Sequence, residues 1–223
     1  MDEYRLFFSN LFLFGELEIS QVKGIVISSV VPPLGTTLKN VFQKYYGLEP
    51  LLVGPGIKTG INIKMDNPRE VGSDRIVNSV AGREKFPGQA LIIVDFSTAT
   101  IFDLISAQGD YLGGVIAPGI KISTEALFRS TAQLPRVELV KPATVIGKNT
   151  VASMQAGIIY GFIGQVEGLI RRLKEELKEE TYVLATGALM DVIVSEIEMI
   201  DRQEPYLSLE GLYYLARLNG LET

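Results

Sequence analysis

The first half of the chain alternates helical and strand patterns of apolar residues. Helical spacing near the N-terminus predicts an amphipathic helix that packs in the core. An apolar run at residues 24–31, stopped by two prolines, predicts a buried strand. Residues 36–46 are predicted to form a helix capped by Gly47, residues 51–53 a short strand, and residues 73–85 a helix. The positions that carry the N-terminal helical pattern are Tyr4, Phe7, Phe8, Leu11 and Phe14.

The second half begins with three apolar runs that are separated only by short turns. Residues 90–95, 99–106 and 111–116 are therefore predicted to form a meander of antiparallel strands. A helix is expected at residues 121–128 after Pro-Gly, and a long helix at 153–179. The N-terminal half of the long helix is apolar nearly all round and rich in glycine. That composition is typical of a tightly packed central helix or of a subunit interface.

Two further segments complete the predicted fold. TYVLATGALM predicts a strand, a tight glycine turn and a helix, and LEGLYYLARL predicts a short amphipathic helix. The chain is thus predicted to be an α/β protein with mixed sheets. FPGQ at residues 86–89 is the best candidate for a domain boundary, which gives predicted domains of residues 1–86 and 87–223.

Composition narrows the chemistry that this fold can carry. The chain has 223 residues, of which 47% are hydrophobic, and it contains neither cysteine nor histidine. Disulfides, zinc–thiolate sites, Ser-His-Asp triads and Cys-His dyads are therefore excluded. Acid–base chemistry near neutral pH must come from Asp, Glu, Lys or Tyr.

Charge and hydropathy indicate which partners to expect. The net charge of −5 argues against a nucleic-acid partner, because phosphate contacts require a basic face. No apolar run reaches the roughly 18 residues of a membrane span, and the N-terminus lacks the basic region of a signal peptide. We therefore expect no membrane attachment and a cytoplasmic location, which the lack of cysteine also fits.

The segment NPREVGSDRIVN places an acid and a base at a predicted loop-to-helix junction. Asp74 and Arg75 follow Gly72, where free backbone N–H groups and the positive end of the helix dipole are expected. Two interpretations remain open. Asp74 is either an N-cap residue or a general base that accepts a proton from a substrate hydroxyl, in which case Arg75 would bind a carboxylate or phosphate.

The segment VDFSTAT places an acid and hydroxyls in the bend between two predicted strands. Asp95 ends an apolar run, and Ser97, Thr98 and Thr100 follow it. Asp95 is either an Asx-type turn residue that satisfies backbone donors or a ligand of a cation. In the second interpretation the hydroxyls and N–H groups of the bend face a phosphate.

Two shorter motifs carry weaker signals. GKNT at residues 147–150 is not a Walker loop, because the residue six positions before Lys148 is Pro142 and not the first glycine of that motif. A helix-capping role for Asn149 or Thr150 is the default interpretation. ATGA is a glycine turn between a strand and a helix, where a nucleotide base or ribose can approach the backbone.

In combination these motifs resemble the type III pantothenate kinases. The succession in order, from about residue 22 to residue 212, is SSVVPP, DNPREVGSDRIVN, VDFSTAT, GGVIAPG, LPRVEL, VIGKNT, SMQAGIIYG and ATG. The resemblance implies two ribonuclease-H-like domains of the actin-like ATPase superfamily, with the site between them. It implies transfer of the γ-phosphoryl of ATP to pantothenate, the first step of coenzyme A biosynthesis, by a homodimer that uses Mg²⁺ and K⁺ or NH₄⁺.

The resemblance also implies roles for individual residues. Asp74 would accept the proton, and Asp95 would bind the monovalent cation. Thr98 would contact the ATP phosphates, and Gly187 would lie near the nucleotide. The residues expected to line the pantothenate pocket are Gly72, Ser73, Asp74, Arg75 and Thr150.

The chain departs from the family pattern in several places. It lacks the D-x-G-N-T turn that holds ATP phosphates and Mg²⁺, so we expect the first domain to be truncated. The alternative function is accordingly a catalytically inactive pantothenate-kinase-like binding or regulatory protein. Ser97, Ile101 and Ala188 also depart from the family, with Ser97 replacing a glycine. A left-handed backbone at residue 97 would cost serine about 1–2 kcal/mol.

Overall fold

The computed structural model describes residues 1–221, which divide into two compact units. The first unit contains Met1–Lys85 and the C-terminal residues from Leu207 onward, and the second contains Phe86–Tyr206. The predicted boundary near residue 86 coincides with the end of the first stretch, but the C-terminal helix joins the first unit. Helices accompany a sheet in each unit, and the predicted α/β class is confirmed. That the units are ribonuclease-H-like domains, the first truncated, stays a prediction.

The first unit consists of four helices and a short parallel sheet. Strands β1 and β2 pair in parallel, with Val26 opposite Leu51. The predicted Gly47 cap is confirmed, because Gly47 adopts a left-handed conformation, its N–H donates to the Gln43 oxygen, and the N–H of Leu48 donates to the Phe42 oxygen. The elements are α1 (Asp2–Phe14), β1 (Val26–Ile27), α2 (Pro32–Tyr46), β2 (Leu51–Leu52), α3 (Ser73–Lys85) and α6 (Leu207–Leu218).

Helix α1 confirms the predicted helix but not its predicted place in the core. None of its residues is buried. Its Phe8 ring packs 4.7 Å from the ring of Phe42 in α2, whereas Phe14 is 82% exposed. Helical periodicity reports that one side of a helix is apolar, and it carries no information on what covers that side.

Helices α3 and α6 form the closest helix pair of the first unit. Consecutive residues 76–82 of α3 are buried. A Cβ at Gly211 of α6 would lie 2.1 Å from the carbonyl oxygen of Val77, so the two backbones are in direct contact. Ser208 donates a hydrogen bond of 2.6 Å to the side-chain oxygen of Asn78. The helix α3, which begins with candidate site residues, is therefore packed directly against α6.

The second unit is a five-stranded mixed sheet in the order β5-β4-β3-β6-β7. The predicted antiparallel meander is confirmed for β3, β4 and β5, whereas β6 pairs in parallel with β3 and with β7. The elements are β3 (Ala90–Phe96), β4 (Ala99–Ile105), β5 (Tyr111–Pro118), α4 (Ile120–Arg129), α5 (Thr150–Leu177), β6 (Thr181–Thr186) and β7 (Arg202–Gln203).

Helix α5 covers one face of this sheet. Its apolar residues Ile159, Val166 and Ile170 are buried in one cluster with Ile92 and Val94 of β3. The opposite side of α5 carries exposed glycines, at which an added Cβ would meet nothing within 4 Å: Gly157, Gly161 and Gly164. The N-terminal half of α5 is therefore packed on one side only, and the alternative of a subunit interface stays a prediction.

One predicted helix of the second unit is absent from the described residues. After β6 the chain makes the expected glycine turn, but two short 3₁₀ turns follow, Met190–Val192 and Val194–Glu196. The apolar residues Met190, Ile193 and Val194 of these turns are all buried. Short apolar runs do not distinguish a single turn from a full helix. Within residues 1–221, no helix is both long and apolar enough to cross a membrane.

Candidate active site

The first group of predicted site residues surrounds the start of α3. Ser73 is the first residue of this helix, and Ser28 donates a hydrogen bond of 2.8 Å to its hydroxyl. Asp74 follows in the first turn, where the helix dipole favours a negative charge. A Cβ at Gly72 would lie 2.5 Å from the Asp74 Oδ1 atom. The Asp74 carboxylate therefore folds back against Gly72, and a side chain at residue 72 would have to displace it.

The geometry of Asp74 differs from that of a standard N-cap residue. An N-cap residue flanks the helix and accepts from an N–H two or three residues further on. Asp74 lies inside the first turn, and its Oδ1 accepts instead from the N–H of the next residue, Arg75, at 2.9 Å. Asp74 thus satisfies an N–H of the first turn from within the helix, and both its role at the helix start and its role as general base stay predictions.

The second group lies at the turn between β3 and β4. Asp95 is paired with Ile101 across the antiparallel ladder and with Thr186 across the parallel one. The N–H and hydroxyl of Ser97 both donate to the carbonyl oxygen of Ala99, at 3.0 and 3.3 Å. Thr98 is exposed at the tip of the turn. Sequence reasoning missed Thr186, which is buried beside Asp95 and would have been found only from the strand register.

Gly187 lies directly against the end of β3. Its φ of +100° is a conformation that other residues rarely adopt. An added Cβ would also lie 2.5 Å from both Asp95 Oδ1 and the carbonyl oxygen of Phe96. The N–H of Leu189 donates to the same Phe96 oxygen at 2.9 Å. The structure thus brings Gly187 and Asp95 together at the carboxyl ends of two parallel strands, where ligands commonly bind in α/β sheets.

Gly119 is a second close contact of the β3–β4 turn that sequence reasoning missed. It immediately precedes α4, and a Cβ at this position would lie 2.2 Å from the carbonyl oxygen of Thr98 and 2.8 Å from that of Ser97. Its φ of −73° is open to any residue, so the need for glycine is steric. The Pro-Gly pair in GGVIAPG was the available signal, but it indicated only the start of a helix.

Thr150 lies apart from these turns, at the start of α5. The capping role predicted for Asn149 is confirmed, because its side chain accepts a hydrogen bond of 2.8 Å from the N–H of Ala152. Thr150 and Ser153 line a cavity of about 850 Å³ between α4 and α5. Lys148 is the single charged side chain of that lining within the described residues, and apolar groups such as Phe162 form much of the remainder.

Several charged groups on or near α4 form ion pairs. Arg129 and Arg136 both donate to Glu125 Oε1, at 2.8 and 3.0 Å. The hydrogen bond from Arg129 is the main reason why the pKa of Glu125 is lowered from its ordinary value. Lys141 pairs with Glu196, and this hydrogen bond raises the pKa of Lys141. These ion pairs lie at or near the surface, and their residues do not line the cavity between α4 and α5.

Two oxygen donors near the β3–β4 turn could contribute to a cation site. The Asp95 carboxylate lies beside the carbonyl oxygen of Phe96, and both are hard donors. Among residues 1–221 there is no group of three or more acidic side chains that could hold a metal ion by themselves. Mg²⁺ commonly binds one or two carboxylates together with substrate phosphates, so this donor set also fits Mg²⁺ that arrives with a nucleotide.

Comparison with known proteins shows the family. The family model for type III pantothenate kinase matches residues 1–172. A type III pantothenate kinase of Bacillus cytotoxicus is 52% identical over 220 residues, which cover 99% of this chain and 84% of that protein. The chain belongs to the type III pantothenate kinase family. The resemblance found from the motifs is thereby confirmed, and nothing in the match favours the inactive alternative.

Solved structures are more distant relatives of this pantothenate kinase family member. A crystal structure from Campylobacter jejuni, described as a conserved Baf family transcriptional activator, has a TM-score of 0.58 at 16% identity. The match covers 94% of this chain and 88% of that one, and it supports the fold alone. A ParM filament protein of Clostridium botulinum has a TM-score of 0.36 at 8% identity, which is too low to support an argument.

Proposed function

We propose that the protein phosphorylates pantothenate with ATP to give 4'-phosphopantothenate, the first step of coenzyme A biosynthesis. The observation that carries this proposal is the 52% identity to a type III pantothenate kinase along 99% of the chain. That length of match includes every motif on which the site residues lie. The inactive alternative rests only on the missing D-x-G-N-T turn, and no contact in the structure favours it.

In this proposal Asp74 accepts the proton of the primary hydroxyl of pantothenate. The hydroxyl oxygen bonds to the γ-phosphorus, the bond to the β-phosphate oxygen breaks, and ADP leaves. A carboxylate is a weak base, so it helps late, as the attacking oxygen loses its proton in a loose transition state. The position of Asp74 in the first turn of α3 supports the role, because the fixed helix holds the carboxylate in place. Arg75 would bind an anionic group through its planar set of donors.

The β3–β4 turn is the proposed site for the phosphates of ATP. Thr98, exposed at its tip, would donate to a phosphate oxygen, and Gly187 would allow the nucleotide to approach the backbone. Asp95 would hold K⁺ or NH₄⁺ with nearby carbonyl oxygens. Mg²⁺ would be held mainly by the phosphates. When bound, the cations would neutralise charge on the phosphoryl oxygens.

The cavity beside α5 is the proposed place for the body of pantothenate, which Thr150 would contact through its hydroxyl. A mostly apolar lining with a few hydroxyls fits a small molecule that carries methyl groups and an amide. We also propose that the protein works as a homodimer. It is also part of the proposal that the two units are ribonuclease-H-like domains and that the protein is cytoplasmic.

The direct test is ATP-dependent phosphorylation of pantothenate by the 223-residue chain, with Mg²⁺ present and with or without K⁺. We expect turnover that K⁺ stimulates. Asp74→Asn should lower kcat by a factor of about 10² or more with little change in KM, because general-base catalysis contributes roughly 10²–10⁴.

Glu180→Gln is the matched control, since it also converts a carboxylate to an amide but lies exposed after α5. It should leave both constants unchanged, and circular dichroism should show that both variants fold. Near-wild-type turnover by Asp74→Asn would exclude the role of Asp74. Absence of phosphorylation by the unaltered chain would exclude the proposed activity.

A further inference from the structure

Asn149 makes both of the hydrogen bonds that close the first turn of α5. Its side-chain Oδ1 accepts from the N–H of Ala152 at 2.8 Å, and its backbone oxygen accepts from the N–H of Ser153 at 2.9 Å. Its own backbone is extended, with φ of −149° and ψ of 167°. The direction in which the chain enters α5 is therefore set at this one residue.

The residues before Asn149 fold back over the same helical turn. A Cβ at Gly147 would lie 2.3 Å from the backbone nitrogen of Ser153, and the Ser153 hydroxyl donates to the Gly147 oxygen at 3.3 Å. Further back, Tyr160 of α5 donates to the Pro142 oxygen at 3.0 Å. The segment that leads to α5 is thus attached along the helix, and Asn149 is its last attachment before Thr150.

Thr150 is the residue that this attachment controls. It is the first residue of α5, and it lines the 850 Å³ cavity together with Ser153, one turn further along. In the first turn of a helix an N–H without an internal partner leaves the end free to fray unless a side chain caps it. If the turn frays, the Thr150 hydroxyl has no fixed direction into the cavity.

We propose that Asn149 is a positioning residue for pantothenate, which acts by holding Thr150 in the direction that the substrate requires. The inference rests on the proposed function, in which Thr150 contacts pantothenate. It goes beyond a purely stabilising cap, because it predicts a selective effect on one of the two substrates. Loss of an N-cap side chain shifts the equilibrium of a helix end by roughly fivefold, and apparent affinity falls with the fraction of competent molecules.

The experiment measures pantothenate binding by calorimetry and both KM values for four variants of the full chain. Asn149→Ala removes the cap, whereas Asn149→Ser restores a neutral acceptor. Thr150→Val removes the hydroxyl at nearly constant volume. Ser106→Ala is the matched control, because the Ser106 hydroxyl also accepts a backbone N–H, that of Asp110 at 3.1 Å, in the β4–β5 turn away from the cavity.

We expect Asn149→Ala to weaken pantothenate binding and raise its KM by up to about fivefold, with the KM for ATP unchanged, because the competent fraction can fall by no more than the shift in the helix-end equilibrium. Asn149→Ser should recover most of the lost pantothenate affinity. Thr150→Val should weaken pantothenate binding at least as much as Asn149→Ala does. Ser106→Ala should lower the Tm and leave pantothenate binding unchanged. This pattern separates positioning from general stability.

Three results would overturn the inference, and they point to different errors. A lower Tm with unchanged pantothenate binding in Asn149→Ala would mean that the cap is only structural. If Asn149→Ala binds pantothenate more weakly and Asn149→Ser does so equally, loss of the cap is not the cause of the weaker binding. Unchanged binding in Thr150→Val would remove Thr150 from the proposed pocket and the inference with it, while leaving the proposed kinase activity to its own assay.

Discussion

Three hydroxyl residues that are close in sequence have three different environments at the β3–β4 turn. Thr100 is 1% exposed inside β4, and Ser97 directs its hydroxyl to the Ala99 carbonyl oxygen. Thr98 is the exposed one. Of the three, Thr98 is thus the residue whose hydroxyl is open to a ligand, which supports its proposed contact with a phosphate of ATP.

The backbone angles also show whether Ser97 occupies a position that requires glycine. Within residues 1–221, the residues other than glycine with positive φ are Glu16 and Lys178, so Ser97 is not in a left-handed conformation. The cost of 1–2 kcal/mol considered for that case does not apply. Sequence could show that serine stood where relatives have glycine, but only the backbone angles could show whether glycine was needed for conformation.

Ser97→Gly should therefore destabilise the protein. Glycine gains no relief at a negative φ, loses the hydroxyl contact with Ala99, and has more backbone freedom in the unfolded chain. We expect a loss of about 0.5–1 kcal/mol in the free energy of unfolding, measured by urea denaturation. An increase in stability of similar size would contradict this account and indicate strain at residue 97.

At the scale of elements, the pairing of α3 with α6 depends on the absence of one side chain. Gly211 allows the α6 backbone to contact the Val77 carbonyl of α3, and a Cβ would lie 2.1 Å from that oxygen. Backbone atoms cannot move aside as the end of a flexible side chain can. The start of α3 carries Asp74, so the position of the proposed base depends on this contact.

Gly211→Ala should destabilise the first unit by more than about 2 kcal/mol, because the two helices must separate to accommodate the methyl group. Gly164→Ala is the matched control, since it is also a glycine within a helix but its added Cβ would meet nothing within 4 Å. Alanine there should be neutral or stabilising by up to about 1 kcal/mol. Chemical denaturation of both variants measures the difference. Equal effects would show that helix propensity, not the contact, governs both sites.

The elements themselves were largely predictable because periodicity and turn residues are local signals. The meander β3–β4–β5 and the cap at Gly47 were both evident from the sequence. Contacts between residues that are far apart in the sequence were not predictable. The close approach of Gly119 to Thr98 and the exposure of α1 both depend on how elements pack, and no local pattern encodes that.

At the scale of the whole molecule, the first unit is built from two stretches of the chain that are separate in sequence. The chain leaves the first unit at Lys85 and returns to it at Leu207. A boundary at FPGQ could be predicted from composition, whereas the return could not, because α6 resembles any other short amphipathic helix. Burial shows where it belongs, since Leu207 and Leu215 are fully buried and α6 packs on α3.

Fragments of the chain test this division. Residues 86–206 alone should fold, because the five-stranded sheet and the cluster under α5 lie entirely within them. Residues 1–85 alone should be largely unfolded, since α3 then loses its partner. A short Gly/Ser linker from residue 85 to residues 207–223 should restore structure, because Lys85 and Glu210 form an ion pair and lie close together.

Amide dispersion in NMR spectra and hydrogen exchange would measure folding in each fragment, with the full chain as the reference. The decisive comparison is between residues 1–85 with and without the linked C-terminal segment. If residues 1–85 fold equally well without it, or if α6 is as strongly protected in residues 87–223 as in the full chain, α6 does not belong to the first unit. In that case the boundary at residue 86 predicted from sequence would describe the protein better, and the support of α3 by α6 would need another explanation.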